Sequence, residues 1–407
     1  MAEEPGESSF LIHSPDGRDM ESGMTSVPVL EESTTTKIVV EPSSRLASLD
    51  ALRGFDMLWI TGGGALAGAL KAFGPDSMLA PVALQLQHVP WEGFHFEDLI
   101  FPLFVFMAGV SIVFSLPKMV AKVGAGGAVR RITTRTLILF ALGIFLSGGL
   151  ARGIDDVRWL GVLQRIGLAY FGASLLSLWL KPRGLFVACV ALLAGYWALL
   201  TFVPVPGIGA GDYAEGRNLT NHLDKLYLPG RKYDGDHDPE GLLSTLPAIA
   251  SCLIGVLAGH WLRSAAAPGR KVLLLLLGGA VMLGLGWAWA PWFPVVKKLW
   301  TSSFVLVAAG WSALLLGLFY WTIEIRNWRR WAEPFVWVGL NPIAIYVAGN
   351  MIDWPKIAGR FTGGDLQKWL NADVHPGLGN LLTALLAMGF SFLLAWFLHR
   401  RKIYLRA

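Results

Sequence analysis

The chain has 407 residues, of which 54% are hydrophobic and only 15% charged, and it carries a net charge of +5 at neutral pH. A water-soluble protein of this size carries about 25% charged residues, so with a mean hydropathy of +0.51 an ordinary soluble domain is excluded and a membrane-embedded chain is expected. Both cysteines, Cys189 and Cys252, fall inside apolar runs, where neither metal-ligand spacing nor a disulfide framework is available; no metal is expected.

Residues 1–44 are rich in Glu, Ser, Thr and Pro and lack apolar periodicity, so they bury too little surface to offset chain entropy. A disordered cytoplasmic tail is predicted. It does not read as a signal peptide, because Glu3 and Glu4 stand where a basic region belongs. From residue 45 onward, apolar runs close to the ~20 residues that cross a bilayer recur at about 52–71, 99–117, 133–150, 160–180, 184–203, 242–263, 271–290, 301–323, 334–353 and 378–398. The predicted fold is all-α, a polytopic integral membrane protein with about ten transmembrane helices, and residues 45–407 form one domain.

Basic residues gather on one side of these runs: Lys118, Lys122, Arg130 and Arg131, then Lys181 and Arg183, Arg263 and Arg270, Arg326, Arg329 and Arg330, and Arg400 to Lys402. The positive-inside rule makes that side cytoplasmic and puts both termini there. The same placement accounts for the calculated pI of about 9.2 without a nucleic-acid partner. The opposite loops are about 72–98, 151–159, 204–241, 291–300 and 354–377.

Ionisable residues near or inside the runs are the candidates for chemistry, because an ionised group at the bilayer centre costs roughly 2.5–3.5 kcal/mol on insertion scales. Asp50, Arg53 and Asp56, near the cytoplasmic end of the first run, form either an entrance for a phosphate-bearing donor or a helix-end salt-bridge cluster. The segment His88–Ser111 runs polar groups directly into an apolar helix. His88 leads, because an imidazole near its ordinary pKa can take a proton or act as nucleophile; His95, Glu97 and Asp98 compete for the same role. Trp91 offers an apolar wall or an interfacial anchor. Asp98 can orient a histidine or cap the helix. Gln164 and Arg165 lie about one turn inside the fourth run, where a guanidinium needs partners. The long loop 204–241 ends in DGDHDPEG, so Asp238 and Glu240 are candidates for a hydroxyl-rich or charged ligand, or simply solvated loop residues. Lys297 and Lys298 stand on the outer side against the charge rule, which asks for a ligand or an acidic loop partner. Asn341 precedes Pro342 within the ninth run, a place for a break that frees backbone groups.

No P-loop, dinucleotide fingerprint, zinc-type spacing or Gly-x-Ser-x-Gly elbow occurs, which counts against ATP-driven transport and serine hydrolysis. In order, RLASLDALRGFDM (45–57), HVPWEGFHFEDLIFPLFVFMAGVSI (88–112), RWLGVLQRIGLAYF (158–171), DPEGLLSTLPAIASCLIGVLAG (238–259), KKLWTSSFVL (297–306) and PFVWVGLNPIAIY (334–346) resemble the heparan-alpha-glucosaminide N-acetyltransferase family and its bacterial relatives. The resemblance implies a transmembrane acyltransferase that moves an acetyl group from cytoplasmic acetyl-CoA to an amine or hydroxyl of a sugar such as terminal glucosamine on the outer face. It makes His88, in His-x-x-Trp-x-Gly, the active histidine. It also implies a homodimer as a possible assembly, while the compact loops point to a bacterial inner membrane as the location. The glycine triplet Gly62–Gly64 follows Ile60 and Thr61 rather than the asparagine of lysosomal members, and its role is not carried over. A secondary transporter of a sugar or amino sugar is the rival expectation.

Overall fold

The computed structural model describes residues 46–404 apart from Arg152; the tail expected over 1–44 lies outside the described residues. Helices follow in the order α1 (Ala47–Lys71), α2 (Ala80–Gln85), α3 (Phe96–Leu146), α4 (Val162–Trp179), α5 (Pro182–Phe202), α6 (Leu219–Tyr227), α7 (Thr245–Arg263), α8 (Pro268–Trp289), α9 (Ser302–Tyr320), α10 (Glu333–Leu340), α11 (Pro342–Met351), α12 (Trp354–Thr362), α13 (Asp365–Trp369) and α14 (Leu378–Arg400). Among the described residues, extended pairing is confined to isolated bridges, so the all-α expectation holds.

Six of these helices, α3, α5, α7, α8, α9 with its π-helical extension to Ile325, and α14, are long and apolar enough to cross a membrane. They range in burial, with α7 in between at 56%. In α3 and α9 72% of the most apolar window is buried, whereas in α5, α8 and α14 only 28%, 22% and 22% are. A helix that is apolar all round yet largely uncovered is suited to a lipid solvent, so α3 and α9 form the core and the other three its rim.

Two breaks interrupt the helical rods. The expected runs 99–117 and 133–150 are the two halves of α3, which part at Gly124, where φ +71° and ψ 173° are not helical; only glycine adopts that conformation without strain. The ninth run is broken as its Asn-Pro pair foretold, with Asn341 at φ −131°, ψ 48° between α10 and α11.

Close helix crossings are built on small residues, because packing of backbones rather than a hydrophobic driving force holds helices together in lipid. A Cβ at Gly109 or Gly255 would strike the Cys252 or Phe106 carbonyl across the α3–α7 contact, and one at Gly54 or Gly339 would strike Phe335 or Asp50 across α1–α10. The largest apolar core joins α1, α3, α4, α5, α7, α8 and α9, with Trp300, Phe304 and Phe106 fully buried in it. α3 is thereby fixed against α7, and its N-terminus becomes a rigid platform for what precedes it.

Candidate active site

The site is assembled from two segments far apart in sequence. Residues 88–95 enter α3, and residues 295–301 form a turn before α9. Glu92 and Val296 pair as an antiparallel bridge, and the Gly93 amide donates to the Val295 carbonyl at 2.9 Å. Gly93 has φ +124°, a left-handed conformation that glycine adopts without strain. The turn is closed by the Trp300 amide donating to Lys297 O at 2.9 Å and the Thr301 amide to Val296 O at 3.3 Å, while the Thr301 side chain caps α9. Lys297 is thus carried to His88.

Asp98 performs both roles open to it. Its Oδ2 accepts the backbone amides of His95 at 3.0 Å and Val89 at 3.2 Å, which satisfies the helix start and places the carboxylate in the favourable field of the N-terminus. Its Oδ1 lies 3.0 Å from Nδ1 of His88. Nζ of Lys297 completes a triangle, 3.4 Å from that same Oδ1, 3.0 Å from His88 Nδ1 and 3.5 Å from Nε2. Asp98 is 1% exposed at its side chain and His88 57%, so the histidine is held from behind and open in front. An Nδ1–H needs an acceptor, and of the two groups beside it the Asp98 carboxylate is one whereas the Lys297 ammonium only donates; with the proton on Nδ1, Nε2 keeps a lone pair on the open side. Burial pushes the Lys297 amine below the usual lysine range, against the carboxylates of Asp98 and Glu97, which pull it back.

Trp91 and Lys298 stand beside this triangle. The Trp91 indole donates to Tyr213 O at 3.1 Å, and Lys298 Nζ lies 5.9 Å from the Trp91 ring. Lys298 itself turns to Glu215 at 2.8 Å and Asp234 at 3.2 Å. Of the two lysines, Lys298 therefore meets an acidic loop pair and Lys297 the histidine, a distribution that the adjacent positions do not disclose.

Asp238 and Glu240 gather around Arg158, which sequence reasoning did not single out. Arg158 grips Asp238 with two bonds, Nε to Oδ2 at 2.9 Å and Nη2 to Oδ1 at 2.7 Å, and reaches Glu240 Oε2 at 2.6 Å. Burial and the neighbouring Asp238 push the Glu240 carboxyl up to about 7; against the same burial, Arg158 holds Asp238 below the usual carboxylate range. Arg165 is 1% exposed and clamps the backbone of the same segment, donating to Pro239 O, Gly241 O, Ser244 O and Ser244 Oγ at 3.3, 3.2, 3.2 and 2.7 Å. Its guanidinium lies 5.3 Å from the centre of the Trp300 ring. Gln164 is equally buried, and neither atom of its amide finds a hydrogen-bond partner. It faces a cavity of about 470 Å³ whose walls include Arg158, Tyr233, Tyr346 and Asn350. Glu240 is close enough to act electrostatically on both Lys297 and Tyr346, which links the cavity to the histidine.

The remaining candidates lie elsewhere. Arg53 pairs with Asp50 at 2.9 Å and donates to Ser111 Oγ at 2.8 Å and Gly339 O at 3.3 Å. Asp56, fully buried, has no hydrogen-bond partner at either carboxylate oxygen, and Oε2 of Glu97 is in the same state. Asn341 donates to Ile403 O at 2.9 Å, which places its amide on the C-terminal segment rather than at the histidine.

A profile of the family described as "Heparan-alpha-glucosaminide N-acetyltransferase, catalytic" matches residues 45–275, more than half of the chain. A human protein named heparan-alpha-glucosaminide N-acetyltransferase is 27% identical over 381 residues, covering 78% of this chain and 55% of the relative. The mouse protein of the same name is 26% identical over 382 residues, covering 78% and 56%. The chain thus spans about half the length of the curated relatives it matches.

Proposed function

The chain belongs to the heparan-alpha-glucosaminide N-acetyltransferase family, and on that premise we propose that it carries an acetyl group from acetyl-CoA to the amine, or a hydroxyl, of a sugar such as terminal glucosamine across a membrane. The observation that carries this reading is the His88–Asp98–Lys297 triangle. The acceptor nitrogen attacks the thioester carbonyl, the C–S bond breaks, and Nε2 of His88 takes the amine proton and returns it to the departing thiolate. Asp98 fixes the ring and stabilises the imidazolium; the Lys297 ammonium offsets negative charge on the carbonyl oxygen or sulfur. An acetyl-imidazole route uses the same atoms and differs by its ping-pong kinetics.

Counting α3 as two crossings at Gly124 and adding α1, α4 and the broken α10–α11 rod brings the crossings to ten, with both termini cytoplasmic as the basic loops require. Residues 45–407 then act as one catalytic domain, in an inner membrane of bacterial type and as a possible homodimer. In this topology Asp50 and Arg53 stand at the donor's entrance. The unpartnered oxygens of Asp56 and Glu97 mark a polar way through the α1–α3 contact towards His88. The acceptor binds near Trp91 and the cavity walled by Gln164, Asp238's partner Arg158 and Glu240's neighbours.

The test is reconstitution in vesicles with acetyl-labelled CoA on one face and glucosamine on the other, comparing wild type with His88→Ala. Label on the sugar with wild type alone is expected. CoA release only with a glycan extract would change the acceptor and keep the chemistry; no CoA turnover with any acceptor would overturn the reading in favour of a transporter.

A further inference from the structure

Within the loop 204–241 lies a cluster that the proposed transfer does not use. Glu215, Asp234 and His237 each offer one ligand atom, and these atoms all lie within 4.8 Å of one another. The carboxylates alone would mean little. His237, however, is only 5% exposed, and its Nε2 has no hydrogen-bond partner while lying 3.8 Å from Glu215 Oε1 and 4.0 Å from Asp234 Oδ2. Its other nitrogen is engaged: Nδ1 lies 2.8 Å from Asp236 Oδ1. A carboxylate can only accept, so Nδ1 carries the proton and Nε2 presents a lone pair to the cluster. A carboxylate behind a histidine whose far nitrogen is free is the arrangement that orients histidine towards a metal.

The backbone holds the group in place. The Asp234 amide donates to His237 O at 3.1 Å, and Gly235 with φ +85° turns the chain between them. The cluster now holds a positive charge of the protein's own, the Lys298 ammonium at 2.8 and 3.2 Å from Glu215 and Asp234. Zinc bonds to nitrogen and carboxylate oxygen of about 2.0–2.2 Å put two ligands of a tetrahedral ion about 3.4 Å apart. The observed 3.8 and 4.0 Å, with the third separation no more than 4.8 Å, ask for inward shifts of at most about 1.4 Å, within reach of the half-exposed Glu215 side chain.

We infer that Glu215, Asp234 and His237 form a binding site for a divalent cation of the zinc class, in which the ion replaces the ammonium of Lys298. One nitrogen and two carboxylate oxygens leave a fourth position for water, the open pattern of such sites. Binding would fasten residue 215 to the 234–237 turn and release Lys298 beside Trp91, so the ion would tighten the loop and alter the charge next to the histidine site.

The experiment uses the full chain purified in detergent, with any purification tag removed and the protein stripped by chelator. Zn²⁺ is titrated calorimetrically, and Co²⁺ uptake is followed by its visible absorption. One ion per chain is expected, with affinity at least tenfold weaker in His237→Ala and tighter in Lys298→Met, which lacks the competing ammonium. His237→Ala should keep the wild-type unfolding temperature in chelator and lose only the zinc-dependent rise; if it does not fold, Asp234→Asn should show the same tenfold weakening. No uptake by wild type, uptake by Lys298→Met alone, or equal uptake by wild type and the ligand variants would overturn the site.

Discussion

Replacing Asp98 with asparagine tests the histidine's tautomer with little change in shape. Position Oδ2 accepts two backbone amides, at 3.0 and 3.2 Å, so the asparagine oxygen must occupy it and the NH2 must face His88. A donor then meets Nδ1, whose own proton has to move to Nε2, and the lone pair disappears from the open side of the ring. General base catalysis contributes roughly 10²–10⁴-fold, which corresponds to about 3–5 kcal/mol of barrier, and kcat should fall by that factor with KM little altered. Folding should suffer less, because both backbone bonds survive and the loss is confined to the Oδ1 contacts with His88 and the Lys297 ammonium, about 1.5–3 kcal/mol for a hydrogen bond to a charged group. Initial rates of CoA release from reconstituted protein, with thermal unfolding alongside, supply the measurement. A folded Asp98→Asn protein within about threefold of wild type would refute the argument that the carboxylate sets the tautomer.

Lys297→Met should lower kcat by about 10–100-fold while leaving His88 in contact with Asp98, and kcat at saturating acceptor reads this directly. Arg158→Met strands the fully buried Asp238 and should cost about 3–5 kcal/mol in unfolding experiments; adding Asp238→Asn and Glu240→Gln should restore most of it. Two carboxyls give the fold a pH dependence of unusual sign. Burial raises Asp224 to about 6 and Glu240 to about 7, above the ordinary range near 4. Between about pH 4 and 7 the folded state therefore binds more protons than the unfolded one, and stability from these groups is present at low pH and lost as pH rises through their folded values. Unfolding temperature should rise from pH 7.5 to 5.5, and Asp224→Asn should shrink that rise.

The helices were legible because lipid leaves the backbone few options: an apolar run of sufficient length must be a helix. Asn341 and Pro342 likewise announced their break through local chemistry. The break between the halves of α3 falls at Gly124, inside the basic stretch that separates the two expected runs, where a positive φ calls for glycine. His88 and Asp98 are ten residues apart at a helix start, so their meeting follows from local geometry. Which lysine of the 297–298 pair reaches them depends on the Glu92–Val296 bridge, a pairing of distant segments with no local signature. Arg165 was expected to need partners and takes carbonyls and a hydroxyl, groups that every sequence contains and none advertises. Arg158 carries no local signal that sets it apart, and only the fold brings Asp238 and Glu240 onto it.

The bridge that carries Lys297 to His88 brings together two side chains 209 residues apart in sequence. At synthesis rates of about 5–20 residues per second, the ribosome needs on the order of 10–40 s to travel from one to the other. Throughout that interval the nascent chain holds its histidine and aspartate without their lysine, and no shorter product can complete the triangle. Assembly of the His88–Asp98–Lys297 triangle thus requires that the chain has run at least as far as the turn before α9.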